Sequence, residues 1–426
     1  LSLAFFIAAL LSKSVTVSLP AVLVLLLWWK RGRVSWDEVV KLVPFLAAGL
    51  AMAGVTVYCE LEHVGARGAA WDLSGLERVL IAGRALWFYA GKLLWPQQLT
   101  FIYPRWEIRA DALLQYVFPV GAACVLFLLW RFRARIGRGP LVASLVFCGT
   151  LVPALGFINT YPMQYSFVAD HFQYLAAASL MALFAAGWIR FVRSRTWAIA
   201  AAGVLLLLLA VLTWRQSGMY RDGETLWRHT LERNPSAWMA HVNLGKELSG
   251  RGAGEEAIRH YREALRLWPA DAGAHNNLGI ELMNRGDLDG AVQHFEKAST
   301  LWSNYPEAFY HLGVAHQRRG DWDAAERAFR SAVLSRPAYP AAHNALGITL
   351  GQQERLDEAA DAFRETLKYA SDYPDAHINL CRVLRMKGRL AEAEEHGMRA
   401  LRLDPDSAEA HYQVALLRME GKRMKD

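Results

Sequence analysis

The chain has 426 residues, 54% of them hydrophobic, with a formal net charge of +7 and four cysteines. That length accommodates two or three domains. The cysteines exclude a disulfide framework and a zinc motif: Cys124 and Cys148 lie in apolar runs, and Cys59 and Cys381 lie far apart. Basic residues gather in short links beside apolar segments, which is the signature of membrane topology and not of nucleic-acid binding.

Composition divides the chain near Trp214, with apolar residues concentrated in 1–214 and charged residues beyond. Leu1 stands inside an apolar run, so the chain reads as the C-terminal part of a longer protein. Leu1–Leu11 reads as the end of one membrane helix, and Val15–Trp29 continues the apolar character around Pro20. Val39–Tyr58, Ala112–Trp130, Pro140–Phe157, Phe172–Ile189 and Thr196–Trp214 each approach the roughly 20 residues that a bilayer requires. Residues 76–95 differ: Glu77, Arg78, Arg84 and Lys92 among apolar neighbours predict an amphipathic helix lying in the membrane interface.

Arginine and lysine crowd the links at 30–41, 131–138 and 190–195, which assigns those links to the cytoplasm. The other short links carry few basic residues, set among acids such as Glu60, Glu62, Asp72 and Glu107. With 76–95 interfacial, the sides alternate consistently and the C-terminal half emerges outside the cytoplasm. The sequence thus predicts an integral membrane protein, in a bacterial inner membrane, with its second half extracytoplasmic.

That second half repeats every 34 residues. Leu244-Gly245 recurs as Leu278-Gly279, Leu312-Gly313, Leu346-Gly347 and, altered, Leu380-Cys381; Ala257, Ala291, Ala325, Ala359 and Ala393 keep the same step. So do Tyr261, Phe295, Phe329 and Phe363, while Gly397 takes the fifth place; Gly252, Gly286, Gly320 and Gly388 mark the turns, with Glu354 in the fourth unit. This pattern resembles the tetratricopeptide repeat (TPR), a helical hairpin that buries its apolar face only by stacking on neighbours. It predicts an entry half-repeat over 215–237, five units over 238–407 and a capping helix and tail over 408–426. The predicted fold class is all-α, a polytopic transmembrane helix bundle followed by a TPR α-solenoid.

Three links predicted outside are rich in aromatic and polar residues: 11–20, 94–104 with Trp95, Tyr103 and Pro104, and 159–175 with Tyr161, Asp170 and His171. Together with the entry segment Glu224-Thr225-Leu226-Trp227 through Asn234-Pro235, they resemble bacterial membrane-anchored TPR proteins related to the transmembrane and tetratricopeptide-repeat (TMTC-type) O-mannosyltransferases. The resemblance implies a partial GT-C-type glycosyltransferase fold over 1–214. It also implies transfer of a mannose-like sugar from a polyprenyl-phosphate carrier to protein Ser/Thr, with the repeats binding the acceptor or a partner protein. It places the main catalytic acid upstream of Leu1. The alternative is a non-catalytic membrane-anchored TPR scaffold for protein–protein interaction in the cell envelope. No cofactor motif is present, a divalent metal is left open, and the expected partners are protein or peptide and membrane lipid, not nucleic acid.

Each candidate residue carries two readings. Lys13, at an outer membrane boundary, either neutralises a lipid phosphate or snorkels. Arg105 either does the same or pairs with Glu107. Asp170 either binds a sugar hydroxyl or caps a helix. Trp95 and Tyr103 read as interface anchors. In the repeats, His241, His275, His343 and His377 occupy the fourth position of their units, and a helix-packing separation of roughly 8–10 Å between units excludes shared metal ligation. Asn243, Asn277 and Asn379 occupy the position that, in peptide-binding TPR proteins, hydrogen-bonds the peptide backbone. Lys246, Arg318, Arg382 and Arg385 add positive charge nearby.

Overall fold

The computed structural model describes residues 2–12, 14–64, 66, 68, 71–192 and 194–423, and every regular element among them is helical. Packing divides the chain into Leu1–Ala240 and His241–Asp426. The division falls beyond the compositional change at Trp214, because the entry segment packs with the first unit.

The first unit holds α1 (Ser2–Ser12), α2 (Leu19–Arg31), α3 (Trp36–Tyr58), α4 (Gly75–Leu94), α5 (Val117–Ile136), α6 (Gly139–Leu151), α7 (Tyr174–Phe191), α8 (Arg195–Ser217) and α9 (Gly223–Arg233). Local sequence sets these ends. Ser35 with Glu38 and Ser74 with Glu77 form capping boxes that start α3 and α4, and Asp222 caps α9 by accepting from the Thr225 amide at 2.8 Å. Gly32 ends α2 at φ +77°, the left-handed geometry that glycine adopts without strain.

Four helical stretches are long and apolar enough to cross a membrane: Trp36–His63, Leu113–Ile136, Asp170–Phe191 and Thr196–Tyr220. Their apolar side chains stay exposed in the protein, as with Phe127, Leu206 and Leu207, which suits a lipid surround. The expected span Pro140–Phe157 is shorter than anticipated. It forms the apolar stretch Gly139–Ala154, whose end turns 3-10 around Pro153. Leu141, Val142, Phe147 and Leu151 are buried in it, with α2, α5 and α7 packed alongside.

Residues 76–95 do form one charged helix, α4, and it is not among the four. It buries Leu80, Ile81, Ala82, Gly83, Ala85 and Tyr89. Gly83 is required there, since a Cβ would lie 2.5 Å from the Pro119 nitrogen of α5. The Arg78 guanidinium donates to the Gly156 carbonyl and the Asn159 side chain, each at 2.8 Å, and to the Trp71 and Leu73 carbonyls. A charge so fully satisfied can be half-buried without a counter-ion.

The repeats follow as hairpins: α10 (Trp238–Gly250) with α11 (Gly254–Leu267), α12 (Ala272–Asn284) with α13 (Leu288–Leu301), and α14 (Pro306–Arg319) with α15 (Trp322–Ser335). Then come α16 (Pro340–Gln352) with α17 (Leu356–Tyr369), α18 (Pro374–Met386) with α19 (Leu390–Leu403), and the cap α20 (Ala408–Arg423). Helix boundaries therefore follow the sequence period. Phe295, Phe329 and Phe363 are at most 1% exposed, and burying each contributes roughly 1.5–3 kcal/mol. Each ring lies against the glycine of the facing helix: a Cβ on Gly279, Gly313 or Gly347 would come within 2.6–2.7 Å of it. In the fifth unit the sizes are exchanged. Cys381 stands in the glycine's place and Gly397 in the ring's, and a Cβ on Gly397 would lie 2.7 Å from Val414 Cγ2 of the cap and 3.2 Å from the Cys381 sulfur. The two departures compensate each other.

Candidate functional site

In the first unit, distant segments bring polar groups together beside α4. Tyr103 is 6% exposed, and its hydroxyl donates to Asp170 Oδ1 at 2.8 Å. Asp170 therefore does not cap its helix as expected. Ala169 holds the cap position with extended backbone, and the carboxylate of the next residue accepts from the phenol instead. Nor is Tyr103 an interface anchor, since it is buried and its hydroxyl is committed. From the other side, the Tyr89 hydroxyl accepts from the Ala169 amide at 3.2 Å.

Lys92, on the same helix as Tyr89, extends over the Phe88 and Tyr103 rings at 5.5 and 5.3 Å and donates to the Gln97 and Gln98 carbonyls. Burial pulls its pKa down, and the Asp170 charge works against that. Burial, then the Asp170 charge, pushes the Tyr103 phenol up, so it stays a proton donor at neutral pH. Arg233 of α9 also acts on Lys92 by its charge. Carboxylate, phenol and ammonium thus share one half-buried locus. Sequence reasoning named Asp170 but missed Lys92 and the role of Tyr103; charge on an otherwise apolar helix was the available signal for Lys92.

Arg105 lies with its guanidinium 4.8 Å from the centre of the Phe167 ring. The expected partner, Glu107, binds Arg109 at 2.9 Å through Arg109 Nε. Lys13 lies outside the described residues. His171 is exposed with its ring against Phe172.

Along α7, beginning one turn past the Asp170 turn, runs an apolar groove of about 400 Å³. Leu19 and Leu26 of α2, Val142 and Val146 of α6, and Leu175 and Leu183 of α7 line it. The entry segment packs on the two residues that precede Tyr103. Asn234 donates to the Ile102 carbonyl at 3.3 Å, Trp227 packs edge-on against Phe101 at 5.4 Å, and Ala237 and Ala240 are buried with Ile102.

In the second unit, the first helices of successive repeats touch one another, α12 with α14, α14 with α16 and α16 with α18. They form the inner layer of the solenoid. Of the expected groove residues, Asn379 and Arg382 come together: Arg382 donates to Asn379 Oδ1 at 2.7 Å, and Asn379 Nδ2 donates to Asn344 at 3.2 Å. Arg318 donates to the Met283 carbonyl at 3.2 Å, and Arg385 pairs with Glu420 at 2.6 Å. Lys246 is exposed and Asn243 half-buried. Asn277 Nδ2 and Asn276 Oδ1 are buried with no hydrogen-bond partner. Asn276 and Asn344 were missed because they stand one place before the position followed in sequence. Among the described residues, no group of three or more His, Cys, Asp or Glu converges as a metal site.

Comparison with known proteins matches residues 207–272, 310–365 and 344–408 to a tetratricopeptide repeat model, and 281–320 to a TPR repeat model. The chain is 27% identical over 218 residues to the human protein O-mannosyl-transferase TMTC1, covering 45% of this chain and 24% of that one. Its mouse counterpart is 27% identical over 143 residues, covering 32% and 15%. The chain thus spans a quarter or less of the length of these relatives. Among solved structures, YrrB, a TPR protein with an unusual peptide-binding site, is 24% identical over 44% of this chain and 96% of that one, with a TM-score of 0.39. Pseudomonas aeruginosa pilF is 21% identical over 48% and 93%, with a TM-score of 0.43. The chain thus carries tetratricopeptide repeats within residues 207–408, and partial, low-identity homology to the O-mannosyl-transferase TMTC1.

Proposed function

We propose that the chain is part of a membrane-embedded protein O-glycosyltransferase, which moves a mannose-like sugar from a polyprenyl-phosphate carrier to protein Ser/Thr. In this reading the transfer takes place on the extracytoplasmic side of a bacterial inner membrane, and the inner helices of the repeats hold the acceptor or a partner protein. The observations that carry it are the carboxylate–phenol–ammonium locus of Asp170, Tyr103 and Lys92 and the separate apolar groove that α7 forms with α2 and α6. An apolar groove suits an isoprenoid chain, and a cation suits its phosphate. A carboxylate with a phenol suits a sugar or acceptor hydroxyl. Lys13 and Arg105 remain candidates for the phosphate, and the main catalytic acid is assigned to a segment before Leu1. The unmet amide atoms of Asn276 and Asn277 support a peptide partner, because an orphaned buried amide costs about 1–3 kcal/mol until it is paired.

A second reading, the non-catalytic scaffold, is favoured by one fact: Asp170 and Lys92 already have protein partners. The test supplies labelled polyprenyl-phosphate mannose to membranes carrying the full-length protein and counts protein-bound label for wild type, Asp170→Asn, Lys92→Ala and Lys13→Ala. The transferase reading expects label that falls at least tenfold in Asp170→Asn and Lys92→Ala at equal protein level. Background label from wild type, with repeat-dependent capture of envelope proteins retained, overturns it in favour of the scaffold.

A further inference from the structure

The fourth-position histidines are not isolated. In three repeats a second histidine, 19 residues on in the partner helix, meets the first: His241 with His260, His275 with His294, and His377 with His396. In every pair the Nδ1 atoms are 2.9 Å apart, and the ring centres lie 5.1–5.2 Å apart at 31–34°. The other two units lack the pair. Phe309 faces Ala328 in the sequence register of the third, and His343 faces Ala362 in the fourth, where it stacks on Tyr369 instead.

Hydrogen bonding fixes which nitrogen of the first ring is free. His275 Nε2–H donates to the Pro269 carbonyl and His377 Nε2–H to the Ser371 carbonyl, each at 3.1 Å. Each neutral ring therefore points an Nδ1 lone pair at its partner. A carbonyl holding the far N–H is also the arrangement that orients metal-ligating histidines. The second ring now donates Nδ1–H into that lone pair. The rings now meet nearly head-on. Ion binding therefore requires the second ring to move its proton to Nε2, through water that reaches its half-exposed edge, and to swing off the line of the present hydrogen bond until the two lone pairs meet at one point. Two imidazole nitrogens bound to one ion at about 2.0–2.1 Å stand about 2.9–3.4 Å apart, so the observed separation is already at the short end of that span.

We propose that each histidine pair is a two-point site for a divalent d-block cation, Zn²⁺, Ni²⁺ or Cu²⁺, clamping the two helices of its repeat. Borderline ions of this kind favour imidazole, whereas Mg²⁺ and Ca²⁺ demand oxygen. Water completes the coordination, since no third protein ligand converges among the described residues. Binding to the neutral pair releases no proton, because both rings keep their Nε2–H. The first pair has carboxylates close by, with Glu256 Oε1 3.9 Å from His260 Nε2. The second faces Arg262 and Lys297 against Asp271 and Asp287, and the third faces Arg364, Arg399 and Arg402 against Asp372, Glu392 and Glu395.

The test titrates ZnCl₂ into the tag-free full chain in detergent by isothermal calorimetry, with equilibrium dialysis and metal analysis as a count. Wild type should take up three more equivalents than His260→Gln/His294→Gln/His396→Gln, each single variant should lose one, and His343→Gln should lose none. MgCl₂ should give no heat. Should the triple variant lose its helical signal, the three single variants, each with two pairs intact, decide. Equal uptake by wild type and variants, no uptake by wild type, or an equal loss in His343→Gln overturns the proposal.

Discussion

Gly347→Ala tests the packing of the array at one of its ring-on-glycine contacts. The added Cβ would lie 2.6 Å from Phe363 Cε1 and 2.8 Å from Cδ1 and Cζ. Carbon atoms in contact prefer about 3.5–4.0 Å, so the ring must retreat by roughly 1 Å. It has nowhere to go, being 1% exposed. Overpacking of this kind costs up to about 3 kcal/mol, while replacing a helical glycine by alanine returns about 1 kcal/mol. The net loss is about 2 kcal/mol, or roughly 4–8 °C in the melting temperature of a module of this size. The assay is thermal unfolding of the chain in detergent, followed by helical circular dichroism. Gly351→Ala, on the same helix with nothing within 4 Å of its Cβ, is the control and should be neutral or mildly stabilising. Adding Phe363→Leu to Gly347→Ala should return part of the loss through a coupling of about 0.5–3 kcal/mol. If Gly347→Ala melts with or above wild type, the ring-on-glycine argument is refuted.

Two further outcomes follow from the repeats. Burial lowers the pKa values of His275, His294, His377 and His396, with the like charge of the partner ring adding to this in His294 and His396. Folding therefore favours the neutral rings: their stabilisation is complete above the unfolded value of about 6.5 and is lost as pH falls below it. The facing groups include Arg262, Lys297, Arg364, Arg399 and Arg402 against Asp271, Asp287, Asp372, Glu392 and Glu395. The array should melt lower at about pH 5 than at about pH 7.5, and less so in His294→Gln/His396→Gln; a pH-independent melt would contradict this. Separately, Glu354 holds φ +60° at the turn where other units have glycine. Glu354→Gly should raise stability by up to about 1 kcal/mol, read by urea unfolding, and a loss would show that the side chain matters more than the backbone.

The repeats were legible because each helix boundary depends on residues near in sequence: the Leu-Gly step, the thin alanines and the turn glycines all lie within one 34-residue period. What the period could not display is complementarity. Cys381 and Gly397 read as two separate departures, and only their contact makes them one exchange. The histidine pairs were present as a recurring spacing of 19 residues, but following one position at a time hid it. Asp170 was visible as a charge at a helix start, whereas its partner Tyr103 is 67 residues away, and no local rule couples them. Glu107 was weighed as a partner for Arg105 by proximity in sequence, and the structure shows Arg109 Nε donating to that carboxylate at 2.9 Å.

The exchange of Cys381 and Gly397 bears on how such arrays change length in evolution. A repeat duplicated or lost as a whole hairpin keeps each small residue with its matching ring. A crossover falling in the turn between α16 and α17, or between α18 and α19, does not. Joining α18 to α17 would set the Cys381 side chain against the Phe363 ring, while joining α16 to α19 would leave Gly347 facing Gly397 across an empty space. The heritable unit of this array is therefore the hairpin, and its viable recombination points lie between units, near Tyr305, Tyr339 and Tyr373.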